Sequence, residues 1–184
     1  MGKKCKHFFK IMLVLISMAC LGCGISEGNT DKNAVFSLNE LQNKDEAGEF
    51  QYKDIPFGSS SEKVVQQIPE ELEKMEAENS SAVSFYSKES FDFYGCDAFL
   101  FLDFSEDKLE SVKVQFELKE GEEQFQEILN DLIDLYGEPE VSGSEGELFT
   151  SEIYSWGKGE TRLQAILMET ESTASTVLGV FKMN

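Results

Sequence analysis

Ala98-Phe99-Leu100-Phe101-Leu102-Asp103-Phe104-Ser105-Glu106-Asp107-Lys108 decides the fold class. In an extended chain Ala98, Leu100, Leu102 and Phe104 share one face, and Phe99, Phe101 and Asp103 share the other. Ser105 to Lys108 reads as a hairpin loop. Beyond it Val112, Val114, Phe116 and Leu118 alternate with Lys113, Gln115 and Glu117. This is the pattern of an antiparallel pair with one buried and one wet face. Asp103 to Asp107 superficially matches the start of a calcium loop. Lys108 stands where that loop needs glycine, however, and Val114 where it needs a bidentate acid, so the segment is read as a turn.

Working outward toward the N-terminus, Phe91 and Phe93 alternate with Asp92 and Tyr94, and Val83 and Phe85 with Ser84 and Tyr86. Before them, Ser59-Ser60-Ser61-Glu62 has the form of a capping box, with Ser59 and Glu62 serving each other's amides. Val64, Val65, Ile68, Leu72 and Met75 follow at helical spacing, interrupted by Pro69. Phe50, Tyr52 and Ile55 suggest a short strand, turned by Pro56-Phe57-Gly58. Toward the C-terminus, Phe125, Ile128, Leu129, Leu132, Ile133 and Tyr136 form one helical stripe. Gly137 and Pro139 stop it. A loop rich in Gly, Ser and Glu then leads to three strands, at 148–156, 161–168 and 176–182. Gly157-Lys158-Gly159-Glu160 joins the first two. The expected fold class is α+β, an antiparallel β-sheet with two main helices packed on one face. A tandem αβββ arrangement is an alternative, though the halves show no residue-by-residue match.

The N-terminus has a different character. Lys3, Lys4, Lys6 and Lys10 precede an uncharged apolar run, Ile11 to Leu21, which is too short to span a bilayer and has the layout of a secretory signal. It ends in Cys20-Leu21-Gly22-Cys23. This resembles the lipobox of bacterial lipoproteins. The resemblance implies cleavage after residue 22, acylation of Cys23 and a palmitate-bearing membrane anchor. Cys20, behind Ser17-Met18-Ala19, is the alternative modified residue. Residues 24 to 47 are mostly polar and read as a flexible tether, within which Asn33 to Gln42 has the makings of a short docking helix. The expected organisation is a signal peptide over 1–22, a lipidated cysteine and tether over 23–47, and a single domain over 48–184. The resemblance places that domain outside the cytoplasmic membrane, on its outer face, or on the outer membrane in a Gram-negative cell.

Composition narrows the chemistry. The chain has 16 basic and 35 acidic residues, a net charge of −19. All four basic residues ahead of Cys23 belong to the signal, so the remainder is more acidic still. Such a chain repels phosphate backbones and is not expected to bind nucleic acid. His7, within the signal, is the only histidine, which removes serine–histidine and cysteine–histidine catalysis and histidine-bearing zinc sites. Once Cys23 is acylated, Cys96 is the one thiol outside the signal. No metal site or cofactor is expected, and carboxylate chemistry is the main catalytic route left open.

The candidate interaction residues are Phe99, Phe101, Trp156 and Arg162. With helices on one face only, Phe99 and Phe101 lie on the open face, where Phe91, Phe93 or Trp156 would extend an apolar patch. The competing reading covers this strand on both sides. Arg162, beside Trp156 across a hairpin, is placed to stack on the indole or clamp an anion, or simply to make a cross-strand contact. The acidic runs at Glu70-Glu71, 120–123 and 169–171 read as solvated groups. No residue is expected to be catalytic.

Ile55-Pro56-Phe57-Gly58-Ser59-Ser60, Phe104 to Leu109, Leu135 to Pro139, and Tyr154-Ser155-Trp156 with Thr161-Arg162-Leu163 together resemble a recurrent pattern in small exported bacterial proteins of unknown function. The first segment also resembles the opening of small outer-membrane assembly lipoproteins and of the β-lactamase-inhibitor-like fold. These resemblances imply fold class and export and transfer no catalytic residue. The expected function is a membrane-anchored, non-enzymatic binding or interaction module for an envelope protein or wall component. The alternatives are a carboxylate-based wall-active enzyme and an envelope assembly factor.

Overall fold

A computed structural model describes residues 36–43, 49–76, 81–119, 122–146 and 148–183. The expected signal segment, Cys20, Cys23 and the first part of the expected tether lie outside the described residues. Among the described residues eleven strands and two helices follow in chain order: β1 (Leu41–Asn43), β2 (Phe50–Tyr52), α1 (Ser61–Val65), β3 (Leu72–Glu76), β4 (Ala82–Ser87), β5 (Phe91–Phe93), β6 (Cys96–Ser105), β7 (Lys108–Glu117), α2 (Glu122–Tyr136), β8 (Glu140–Glu145), β9 (Thr150–Trp156), β10 (Thr161–Glu169) and β11 (Ala174–Lys182). β1 and β2 form a small hairpin. The others make one antiparallel sheet in the order β3-β4-β6-β7-β11-β10-β9-β8, with β5 paired to the start of β6.

The fold class corrects the sequence-based expectation. The protein is mostly β, with 53% of the described residues in strands and 17% helical, and only α2 is a substantial helix. Two segments account for the difference. The expected first helix stops at Val65. Leu72 and Met75, which also fit a helical period, instead lie on edge strand β3, because Pro69 breaks the run between them. Glu140 to Glu145, expected as loop, is β8.

The chain order is thus a helix and a run of strands, given twice. In the sheet the two runs meet back to back. β7 ends the first and β11 ends the second, and they pair at the centre from Glu117↔Ser175 to Ser111↔Phe181. The arrangement approximates a two-fold axis between them. The approach there is close: a Cβ on Gly179 would lie 2.2 Å from the Val112 carbonyl oxygen, so any side chain would force the central strands apart.

The β6–β7 hairpin is as expected. Ala98, Leu100, Leu102, Phe104, Val112, Val114 and Phe116 are buried. Glu106 and Asp107 both have positive φ, 51° and 57°, which gives the two-residue turn whose twist suits a hairpin. Asp107 then does a second job. Its carboxylate accepts from the Ser61 amide at 3.0 Å and the Ser61 hydroxyl at 2.6 Å. These bonds hold its carboxyl below the usual carboxylate range. The expected capping box does not form. Ser60 is the N-cap residue and its side chain makes no cap bond, so α1 is capped from the hairpin loop.

α2 buries Phe125, Ile128, Leu129 and Leu132, as its stripe requires. Gly137, at φ 80°, ends it by donating to the Ile133 carbonyl. The other covering layer comes from the N-terminal segment. Phe36, Leu38, Leu41, Phe50 and Tyr52 are all buried in the same core. Phe36 stacks on Tyr52 and meets the edge of Phe93. A single 3-10 turn, Leu38–Glu40, stands where the short docking helix was expected. The Tyr136 hydroxyl bonds to the carbonyls of Leu38 and Leu41, and Thr161 exchanges two hydrogen bonds with the backbone of Phe50. The strap is thus fastened to α2 and β10.

Candidate interaction face

With the helices and strap on one face of the sheet, the alternation of β6 sends Phe99, Phe101 and Asp103 to the other. Phe99 is 36% exposed and Phe101 is half-buried. Residues directly opposite in antiparallel strands share a face, so the register gives the neighbours. Tyr86 lies opposite Phe101 on β4, and Lys113 opposite it on β7. The Tyr86 and Phe101 rings stack, with centroids 5.9 Å apart and planes 26° apart. Lys113 Nζ sits 5.9 Å from the Phe101 centroid, a cation–π contact.

The same lysine binds Asp103 at 2.5 Å. Ser84 and Ser111, on the flanking strands, donate to the two oxygens of that carboxylate at 2.7 and 2.5 Å. Burial alone would raise the Asp103 carboxyl, but the bonds from Lys113, Ser111 and Ser84 outweigh it and hold it below the usual range. The carboxylate is therefore ionised and neutralised in place. At the edge of the same row, the Tyr86 hydroxyl donates to Glu73, and this bond raises the phenol's pKa.

The face continues across the centre. Phe99, Gln115, Val177, Ile166 and Ile153 lie opposite one another in turn on β6, β7, β11, β10 and β9. The adjacent rows add Gln164 beside Ser155 and Phe181 beside Arg162. From β11 to β9 this face carries no acid, in a chain of net charge −19. Arg162 supplies its one charge there, and its Nε is enclosed without a hydrogen-bond partner among the described residues.

Of the four candidate residues, Phe99, Phe101 and Arg162 are on the open face and Trp156 is not. Trp156 pairs with Leu163 rather than Arg162, is only 4% exposed, and donates its indole N–H to the Gly137 carbonyl at the end of α2. Indole and guanidinium therefore lie on opposite faces, and no stacking forms. Phe93 is buried and Phe91 packs on the core, so neither joins the patch. Tyr86, Lys113, Phe181 and Ile166 are members that sequence reasoning missed. Their parity was readable, but which strands flank β6 and β7 was not.

A second group lies where the strap meets the body. The Tyr52 hydroxyl is buried against Glu40, and Lys53 Nζ is 3.6 Å from the same carboxylate. Burial and the charge of Glu40 raise the Tyr52 phenol. Burial also raises the Glu70 carboxyl, with Glu40 adding to the effect against Lys53. One oxygen of Glu40 and one of Glu70 are enclosed without a hydrogen-bond partner among the described residues. A shallow open depression of about 450 Å³ lies elsewhere, lined by Glu117, Leu118, Glu169, Thr170 and Thr173 among others. Among the described residues no group of three or more His, Cys, Asp or Glu is placed to hold a metal ion, Cys96 is buried, and no helix is long and apolar enough to cross a membrane.

No family model, curated protein or solved structure matches the chain.

Proposed function

We propose that the chain is an exported lipoprotein, anchored through acylated Cys23, whose domain is a non-enzymatic interaction module that receives an envelope protein or wall component on its open sheet face. The observation that carries the reading is the row of Phe99, Val177, Ile166 and Ile153, broken only by Gln115. It is free of acids over β11 to β9 although the whole chain is strongly acidic. Apolar centres rimmed by charge, enriched in aromatic residues, Met and Arg, are the composition of binding surfaces. The basic-then-apolar N-terminus and the Leu21-Gly22-Cys23 approach support the anchor.

The test has two arms. Labelled palmitate should enter the full chain and be lost in Cys23→Ala but not in Cys20→Ala. A tagged full chain recovered from solubilised envelopes should retain a partner that a folded Phe99→Ser/Phe101→Ser form releases. Equal recovery by both forms would remove the open face as the binding surface.

The raised Glu70 carboxyl beside Glu40 is the observation that favours the rival, carboxylate-based wall hydrolysis. That reading requires wall-polymer cleavage by the purified chain and its loss in Glu70→Gln.

A further inference from the structure

The two outer edges of the sheet are built differently. β3, one edge, carries Lys74, which is ion-paired to Glu76, and Glu73, which is bonded to Tyr86. A lysine on an edge strand is a common guard against further strand pairing. β8, the other edge, has no lysine and no proline from Glu140 to Glu145, and its register with β9 is continuous, without a bulge. All six of its residues are exposed.

The direction of its free backbone groups follows from the hairpin end. Gly146 N–H donates to the Phe149 carbonyl, which marks that pair as hydrogen-bonded. Bonded and non-bonded pairs alternate along an antiparallel ladder. Ser144, Ser142 and Glu140 therefore turn their amides and carbonyls inward to β9. Val141, Gly143 and Glu145 turn theirs outward, to no strand of the sheet. Apolar side chains are exposed at both ends of this edge, Val141 (61%) near its start and Leu148 (84%) and Phe149 (50%) at its hairpin. Gly143 keeps the strand close to its neighbour, since a Cβ there would lie 2.5 Å from the Ser151 carbonyl oxygen.

We propose that β8 is a docking edge that takes an extended, lysine-bearing segment of a partner protein as an added antiparallel strand. Charge selects this occupant. Glu138, Glu140 and Glu145 lie along or beside the edge without a basic residue between them, and two copies of a chain of net charge −19 repel each other. A basic strand would satisfy the outward amides and carbonyls, place alternate apolar residues on the face that carries Val141, and set lysines near the glutamates. This site is separate from the open face and stands or falls without it.

The probe is the synthetic peptide acetyl-Lys-Val-Lys-Val-Thr-Val-Lys-amide, titrated into the ¹⁵N-labelled full chain in detergent micelles. The expected result is saturable shifts centred on the amides of Val141, Gly143 and Glu145, with slowed hydrogen exchange there. Val141→Pro removes an outward amide and leaves the inward ladder whole, so it should weaken binding at least tenfold. Glu145→Lys, which leaves the backbone alone, should weaken it several-fold. Phe99→Ser/Phe101→Ser should bind as the parent does. No saturation by 1 mM peptide, equal binding by Val141→Pro, or shifts centred on the open face would overturn the proposal. So would sedimentation showing a dimer of the parent chain that Val141→Pro dissociates, since a second copy would then own the edge.

Discussion

The two halves of the sheet solve one problem by different means. The second half, β8 to β11, is covered by a helix of 15 residues that buries Phe125, Ile128 and Leu132 completely. The first half, β3 to β7, has a helix of five residues, of which Val64 is the one that is buried. Chain that precedes both halves adds a third piece to the covering layer. Phe36, Leu38, Leu41, Phe50 and Tyr52 enter the common core, bonded to α2 and β10 and packed against Phe93. Repetition of element order therefore does not imply repetition of packing. A sheet face must be covered, but any apolar segment of sufficient area can cover it.

The largest effect should come from the conventional half. Phe125→Ala should lower the unfolding free energy by about 3–5 kcal/mol, measured by denaturant titration. Phe36→Ala comes next and tests the comparison most sharply. If the strap is a true layer of the core, the loss should be about 3 kcal/mol. A change within about 0.5 kcal/mol would make it an appended tail, as expected for an exposed site. Asp107→Ala should lower the denaturation midpoint by less than Phe36→Ala does, because α1 borrows its cap from the β6–β7 loop.

The smallest effect is a pH dependence. Burial pushes the Tyr136 phenol up to about 12, and burial also raises Tyr52 and Tyr94. A phenol raised in the folded state stabilises fully below its unfolded value near 10. That contribution is lost as pH rises through the folded value. Stability should hold to about pH 10 and then fall, and Tyr136→Phe should make the fall shallower while lowering the plateau by about 1 kcal/mol. A flat profile to pH 12 would detach the strap from Tyr136.

What was legible in the chain followed from how local each signal is. The β6–β7 hairpin and α2 state their periods over neighbouring residues, and both stand as read. Leu72 and Met75 satisfy a helical spacing and an alternation equally well, and only the partner strand decides between them. β8 gave no apolar pattern because an edge strand exposed throughout needs none. Trp156 misled for the opposite reason: Ile153, Tyr154 and Trp156 place apolar groups on both faces, so parity could not assign it. On the open face Phe99 and Phe101 were readable from β6 alone. Their neighbours Tyr86 and Lys113, and the strip continuing through β11 to β9, depended on strand order, which pairs residues far apart in sequence.

The strap also sets the order in which the molecule can be completed. Its anchors, Thr161 to Phe50, are separated by 111 residues, and Tyr136 to Leu38 by 98. Contacts so distant bear a loop-closure cost that the local hairpins and α2 do not. Because synthesis runs from the N-terminus, the strap is made well before the residues that anchor it. Until Thr161 has emerged, Phe36, Leu41, Phe50 and Tyr52 have no finished core to enter, and a nascent chain carries that apolar stretch uncovered for most of its length.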